Sequence, residues 1–131
     1  MSELGVFAVD RGVFDHPLFA SGEPYSRREA WLWLISEAAW KPRRVDRGGQ
    51  LIELRRGQLA HSLRFMADVW GWSKSSVDRF LARLKTETMI GTETGTGFLI
   101  VTICKYDVFQ RVSLPVDAPV TKQAIGTPAR C

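Results

Sequence analysis

Cysteine is scarce in this chain: Cys104 and Cys131 are the only two, one inside an apolar run and one at the last position. Neither a disulfide framework nor a thiolate metal cluster follows from so few. Histidine is equally sparse. His16 and His61 stand far apart, with no H-x-x-x-H or C-x-x-C spacing, so no metal site is expected. Long apolar runs are missing too, and the N-terminus lacks a basic segment followed by an apolar stretch. These absences speak against a membrane span and a secretory leader, and point to a soluble, cytoplasmic protein. Catalytic constellations are also absent. Gly95-Thr96-Gly97 is not followed by Gly-Lys-Ser/Thr, Lys74-Ser75 has Trp72-Ser73 before it where a phosphate loop needs glycine, and there is no G-x-S-x-G. The carboxylates are scattered, without a pair that would divide acid and base roles. The sequence therefore predicts no enzyme, no catalytic residue and no cofactor.

What is present is a segregated charge. Residues 41–85 hold 11 Lys or Arg against 4 Asp or Glu, a net of +7, whereas residues 1–40 hold 3 against 6, a net of −3. A formal charge of only +4 over 131 residues hides this asymmetry. A basic centre of that kind suits a phosphate-contacting surface. The 45% apolar content is enough for one core, and the length is that of one domain.

The most informative stretch is Trp70 to Ile90, WGWSKSSVDRFLARLKTETMI. Ser73 is a natural N-cap, and Val77, Phe80, Leu81 and Leu84 recur at three and four, which places them on one buried helix face. Lys74, Ser75, Asp78, Arg79, Ala82 and Arg83 fall on the other. Before it, Ser62 caps a helix Leu63 to Trp70 whose inward stripe is Leu63, Met66, Ala67 and Trp70, with Arg64 and Asp68 outward. Gly71 ends that helix in the left-handed conformation, leaving a turn of Gly71-Trp72-Ser73. After the second helix, two β-prone runs, 85–90 and 98–104, flank a glycine- and threonine-rich tip at 91–97, which predicts a hairpin. A helix-turn-helix followed by a hairpin is a winged helix.

Upstream, Gly5 to Val9 reads as a short strand, and Val13, Phe14, Leu18 and Phe19 as an apolar arm. Ser26 and Glu29 form a capping box for a helix reaching to about Trp40. That helix, RREAWLWLISEAAW, is apolar on two sides and needs two covers: the helix-turn-helix, and either the arm or a second copy of the chain. Its tryptophans are expected in the core. Lys41 to Arg56 reads as a second hairpin turning at Gly48-Gly49, with Leu51 to Leu54 as its returning strand. Its cations either clamp phosphate or keep an exposed hairpin soluble. Gly57 to Ser62 reads as a lead-in to the helix from Leu63, with His61 as a boundary residue. From Val112 on, three prolines and no periodicity indicate a linker or tail. The organisation is thus an arm over 1–25, a winged-helix domain over 26–110 and a flexible tail over 111–131. The class is α+β: a three-helix core with a β-hairpin wing, plus the arm and the hairpin between the first two helices.

Taken together, Phe14-Asp15-His16-Pro17-Leu18-Phe19, Ser26 to Leu34, Arg56-Gly57-Gln58, Trp70 to Val77 and Val101 to Asp107 resemble the N-terminal winged-helix domain of phage and prophage replication proteins, replisome organisers of the DnaD-like type. The likeness spans about residues 5–110. It implies binding of origin DNA. In that family a further C-terminal portion recruits helicase or its loader, and residues after Gln110 are too few for one. The wing tip also departs from the pattern, because Thr94-Gly95-Thr96-Gly97 carries no cation for a minor groove. Any contact there would use backbone N–H groups or threonine hydroxyls.

The expected function is sequence-specific binding of double-stranded DNA in replication initiation. The helix from Lys74 would enter the major groove, with Lys74, Ser75, Ser76 and Arg79 at bases or groove edges, Arg83 and Lys85 on phosphate, Arg64, Arg43 and Arg44 as further phosphate contacts, and Ser73 also among the DNA-binding residues. A homodimer and replication proteins such as a helicase or loader are the other expected partners. Two alternatives stay open: a transcriptional repressor of the same fold, and a winged helix used for protein docking.

Overall fold

Ser26 and Glu29 close a reciprocal cap. The Ser26 hydroxyl accepts from the Glu29 amide at 3.1 Å, and the Glu29 carboxylate accepts from the Ser26 amide at 2.7 Å. Helix α1, Arg27–Glu37, starts there. In the computed structural model, which describes residues 6–19, 22–95 and 97–110, it is followed by strands β1 (Arg43–Arg47), β2 (Gln50–Leu54) and β3 (Gln58–His61). Helices α2 (Leu63–Trp70) and α3 (Lys74–Thr86), strands β4 (Ile90–Thr94) and β5 (Leu99–Ile103), and the single turn α4 (Tyr106–Phe109) complete it. The architecture is α+β, with β1 and β2 as one antiparallel pair and a second antiparallel sheet in the order β3-β5-β4. The tail expected over 111–131 lies outside the described residues.

Each helix start and turn follows from local chemistry. Ser62 and Ser73 cap α2 and α3 by accepting from the amides of Phe65 and Ser76. Gly71 takes φ 71°, so its amide can close on the Ala67 carbonyl and the chain can leave α2 at once. The core is built from Ala30, Trp33 and Leu34 of α1, Met66 and Trp70 of α2, Val77, Leu81 and Leu84 of α3, and Leu59, Ile90, Val101 and Ile103 of the sheet. Trp70 is its centre: fully buried, with the rings of Trp33, Trp72 and Phe80 all edge-on at 5.0–5.9 Å. Its indole N–H has no hydrogen-bond acceptor among the described residues.

Five expectations are corrected. Of the tryptophans expected in the core, Trp33 is buried and Trp31 half-buried, but Trp40 lies beyond α1 and is exposed. The strand expected over residues 5–9 is not found in its described part: residues 6–9 pair with neither sheet, and Asp10 accepts from the Gly12 amide to start a 3-10 turn, Arg11–Phe14. Helix α1 stops at Glu37 rather than Trp40, because Ala39 leaves the helix to bridge β3, its amide donating to the Gln58 carbonyl and its carbonyl accepting from the Gly57 amide. The first strand of the hairpin after α3 starts at Ile90, not Lys85. Helix α3 continues to Thr86, and the Met89 amide still reaches the Leu84 carbonyl across a turn in which Thr88 has φ 58°. Lastly, Gln58–His61, expected as a lead-in to α2, is a strand paired along β5 from Gln58↔Thr102 to His61↔Leu99.

The second side of α1 is covered by the arm and α4. Arg11 donates to the Ser36 carbonyl at 2.8 Å and to the Tyr106 hydroxyl, and Phe109 meets Trp31 edge-on at 5.7 Å. Leu32 stays 44% exposed. The Arg56-Gly57-Gln58 segment ties the rest together. Arg56 pairs with Asp107, donates to the Trp40 carbonyl and lies 4.9 Å from the Tyr106 ring, while Gln58 is buried between the Arg55 amide and the Thr102 hydroxyl.

Gly57 has φ +88°, and a Cβ there would stand 3.0 Å from that of Tyr106. Gly57→Ala should therefore cost about 1–3 kcal/mol through left-handed strain and crowding, read as a lower urea midpoint; an unchanged midpoint would show the approach to be slack.

His61 finds a carboxylate that the sequence spacing does not offer. Its Nε2 donates to Glu37 Oε1 at 2.9 Å, with the ring stacked on Phe65. That hydrogen bond holds the Glu37 carboxyl below its usual range despite partial burial, and Arg43 and Arg47 add attraction. A depressed carboxyl contributes stability above the unfolded value and loses it as pH falls through the folded one. Glu37→Gln should thus lower stability at neutral pH by roughly 1 kcal/mol, the low end for a part-exposed charged hydrogen bond. The gap between the two proteins should close as pH falls through the lowered Glu37 value; denaturation across pH measures it, and a constant gap would remove Glu37 as the cause.

Candidate nucleic-acid interface

Helix α3 turns about 100° per residue. With Val77, Leu81 and Leu84 buried, the opposite ridge is Ser75, Arg79, Ala82 and Thr86, all exposed. Lys74, Asp78 and Lys85 fall along one flank of that ridge, Ser76 and Arg83 along the other. The cationic side of the helix faces solvent as the residue pattern predicts. It is not purely basic, because Asp78 sits one turn from Lys74 and tempers it.

The ten candidate residues do not form one surface. Ser73, Lys74, Ser75, Ser76, Arg79, Arg83 and Lys85 share α3 and its cap, and Arg64 is exposed on α2. Ser73 is committed to structure, since its oxygen accepts from the Ser76 amide and bonds the Ser76 hydroxyl. Ser76 in turn accepts from Arg79 Nη2 at 3.3 Å, which draws Arg79 toward the Ser76 flank. Arg43 and Arg44 lie on β1, in the other sheet. Arg43 acts on Glu37 at the C-terminal end of α1, whereas α3 begins beside the N-terminal end; α1 alone separates these by about 16 Å.

Cations of the β1–β2 hairpin are largely engaged within the protein. Arg44 pairs with Glu53 at 3.0 Å, and Arg47 donates to the Ala60 carbonyl. Lys41 lies 4.8 Å over the Trp40 ring. By contrast Arg27, Lys74, Arg83 and Lys85 make no ion pair among the described residues. The β4–β5 hairpin holds no Lys or Arg.

Sequence reasoning missed the ground beside α3. The Tyr25 amide donates to the Trp70 carbonyl at 2.8 Å, and Trp72 Nε1 donates to the Tyr25 carbonyl at 2.8 Å. These two bonds fasten the N-terminal end of α1 to the α2–α3 turn. Between them and α3 opens a cleft of about 810 Å3, with Tyr25, Trp72 and Phe80 as an aromatic wall and Arg27, Arg79 and Arg83 as cations. Burial, helped by the nearby Glu29 charge, pushes the Tyr25 phenol up, so it stays neutral. Nothing in the local pattern marks Tyr25 or Arg27, since a cap-preceding tyrosine and a first-turn arginine are ordinary helix residues.

No group of three His, Cys, Asp or Glu able to hold a metal occurs among the described residues, and no helix there is long and apolar enough to cross a membrane. No protein-family model, curated protein or solved structure matches the chain.

Proposed function

We propose that residues 26–110 form a winged helix that binds double-stranded DNA in a sequence-specific manner, with α3 in the major groove, in replication initiation of the phage or prophage type. The observation that carries the DNA reading is the solvent-facing ridge of α3 with its flanking Arg83, Lys74 and Lys85. A helix presented this way, after a three-residue turn, fits the width of a major groove. The element order α1, β3, α2, α3, β4, β5 and the strand order β3-β5-β4 support the winged-helix assignment. The replication role rests on the sequence resemblance alone. Ser75 and Arg79 are the base-reading residues, Lys74 and Ser76 the groove-edge ones, and Arg83, Lys85 and Arg64 contact phosphate; the cation-free hairpin contributes shape rather than charge.

A second reading, docking to another protein, is favoured by Phe7, Leu18, Phe19 and Leu32, which remain 44–78% exposed.

Selection of bound duplexes from a random pool should return a defined sequence. On that duplex Arg79→Ala should cost about 1–3 kcal/mol of affinity, with sequence preference relaxed at one position. Arg83→Gln should leave the preference intact and reduce the slope of affinity against salt by about one unit. Binding without any sequence preference, or unaffected by both changes, would refute the assignment of α3.

A further inference from the structure

The cleft beside α3 has a composition that a duplex contact does not call for. Phosphates on a double helix need cations and amides, yet here the wall is aromatic: Tyr25, Trp72 and Phe80, each half-buried, so that part of each side chain remains open. Duplex bases are stacked on one another and have no free face to lay against such a wall. An unpaired base does, and stacking on aromatic side chains beside a cationic track is how single strands are held. The wall is also fixed in advance. Trp72 is locked by its hydrogen bond to the Tyr25 carbonyl and by edge-on contacts with Trp70 and Phe80, and Tyr25 by the hydrogen bond from its backbone amide to the Trp70 carbonyl and by its ring contact with Phe14. Little side-chain freedom is left to lose on binding.

Charge points to the same ligand. Arg27 comes from the first turn of α1, Arg79 and Arg83 from α3, and the three line one cleft with Glu87 as the acidic residue among the lining groups. Arg27 and Arg83 make no ion pair among the described residues, so their guanidinium groups are available to successive phosphates. The neutral Tyr25 phenol adds no repulsion.

We propose that this cleft binds single-stranded nucleic acid, with a base against the Tyr25, Trp72 and Phe80 wall and its phosphates at Arg27 and Arg83. Arg79 and Arg83 are shared with the duplex surface, whereas Arg27 and Tyr25 belong to the cleft alone. The two activities are therefore separable by substitution.

The test is fluorescence anisotropy with the full chain and fluorescein-labelled oligo(dT), beside an abasic deoxyribose-phosphate oligomer of the same length. Oligo(dT) should bind about tenfold more tightly than the abasic strand, the lower range for one stacked base. Arg27→Gln and Tyr25→Ala should each weaken oligo(dT) binding several-fold, Tyr25→Phe should restore it, and Arg27→Gln should leave duplex affinity unchanged. Should Tyr25→Ala unfold by circular dichroism, the exposed Arg27→Gln carries the test by itself. Equal affinity for the two strands, equal displacement by polyglutamate, or a folded Arg27→Gln protein with unaltered oligo(dT) binding would overturn the proposal. Oligo(dT) binding with these signatures in a protein that shows no duplex preference would support the cleft and refute only the role of α3.

Discussion

Everything in this molecule hangs on the crossing at Gly57, where a backbone without a side chain lets four elements meet. Its amide donates to the Ala39 carbonyl just past α1, and its carbonyl accepts from the Ile103 amide at the end of β5. The Tyr106 side chain of α4 closes over the bare Cα. Arg56 and Gln58 on either side satisfy the groups that such a crossing would otherwise strand, including the Trp40 carbonyl and the Arg55 amide. Buried backbone polar groups left unpaired are costly, so this junction admits one register. That register places β3 on β5, and β3 runs straight into the cap of α2.

From there the aromatic core decides how the helices stand. Trp70 at the end of α2 is surrounded by Trp33 from α1, Trp72 from the turn and Phe80 from α3, so all three helices are indexed to one indole. Edge-on rings cannot slide past one another without losing contact, which fixes the rotation of α3 about its axis. Its polar ridge faces outward as a consequence of what is buried beneath it. The same turn brings Tyr25 and the start of α1 alongside, and the cleft follows from that closure.

Cations sort into two populations for a physical reason. Those on or beside the β1–β2 hairpin have acceptors within reach: Glu53 for Arg44, the Ala60 carbonyl for Arg47, Asp107 and the Trp40 carbonyl for Arg56. Such arginines hold the hairpin to the body and are partly spent as phosphate ligands. Those on α3 and at the start of α1 are exposed, and Arg27, Lys74, Arg83 and Lys85 make no ion pair among the described residues even though Asp78 and Glu87 stand one turn from Lys74 and Arg83. A basic count along the chain cannot separate the two kinds; the presence of an acceptor in space does.

The sequence by itself determined whatever depends on near neighbours. The Ser26, Ser62 and Ser73 caps, the Gly71 turn, the Gly48-Gly49 hairpin and the burial of Val77, Leu81 and Leu84 on one face of α3 are all set by groups within four residues of one another and are found where the pattern puts them, with Phe80 of that face half-buried. Only the tertiary structure decided what depends on distant partners. Strand β3 has three consecutive buried residues and so no alternation to read; it is a strand because β5 lies beside it. Residues 6–9 look as β-prone and are no strand, because they pair with neither sheet. Glu37 reaches His61 across 24 positions, and Arg27 joins Arg83 in one cleft only because Trp72 bonds to Tyr25. Local free energies select helices, caps and turns, whereas pairing and site assembly are won by contacts that exist only after the chain has closed on itself.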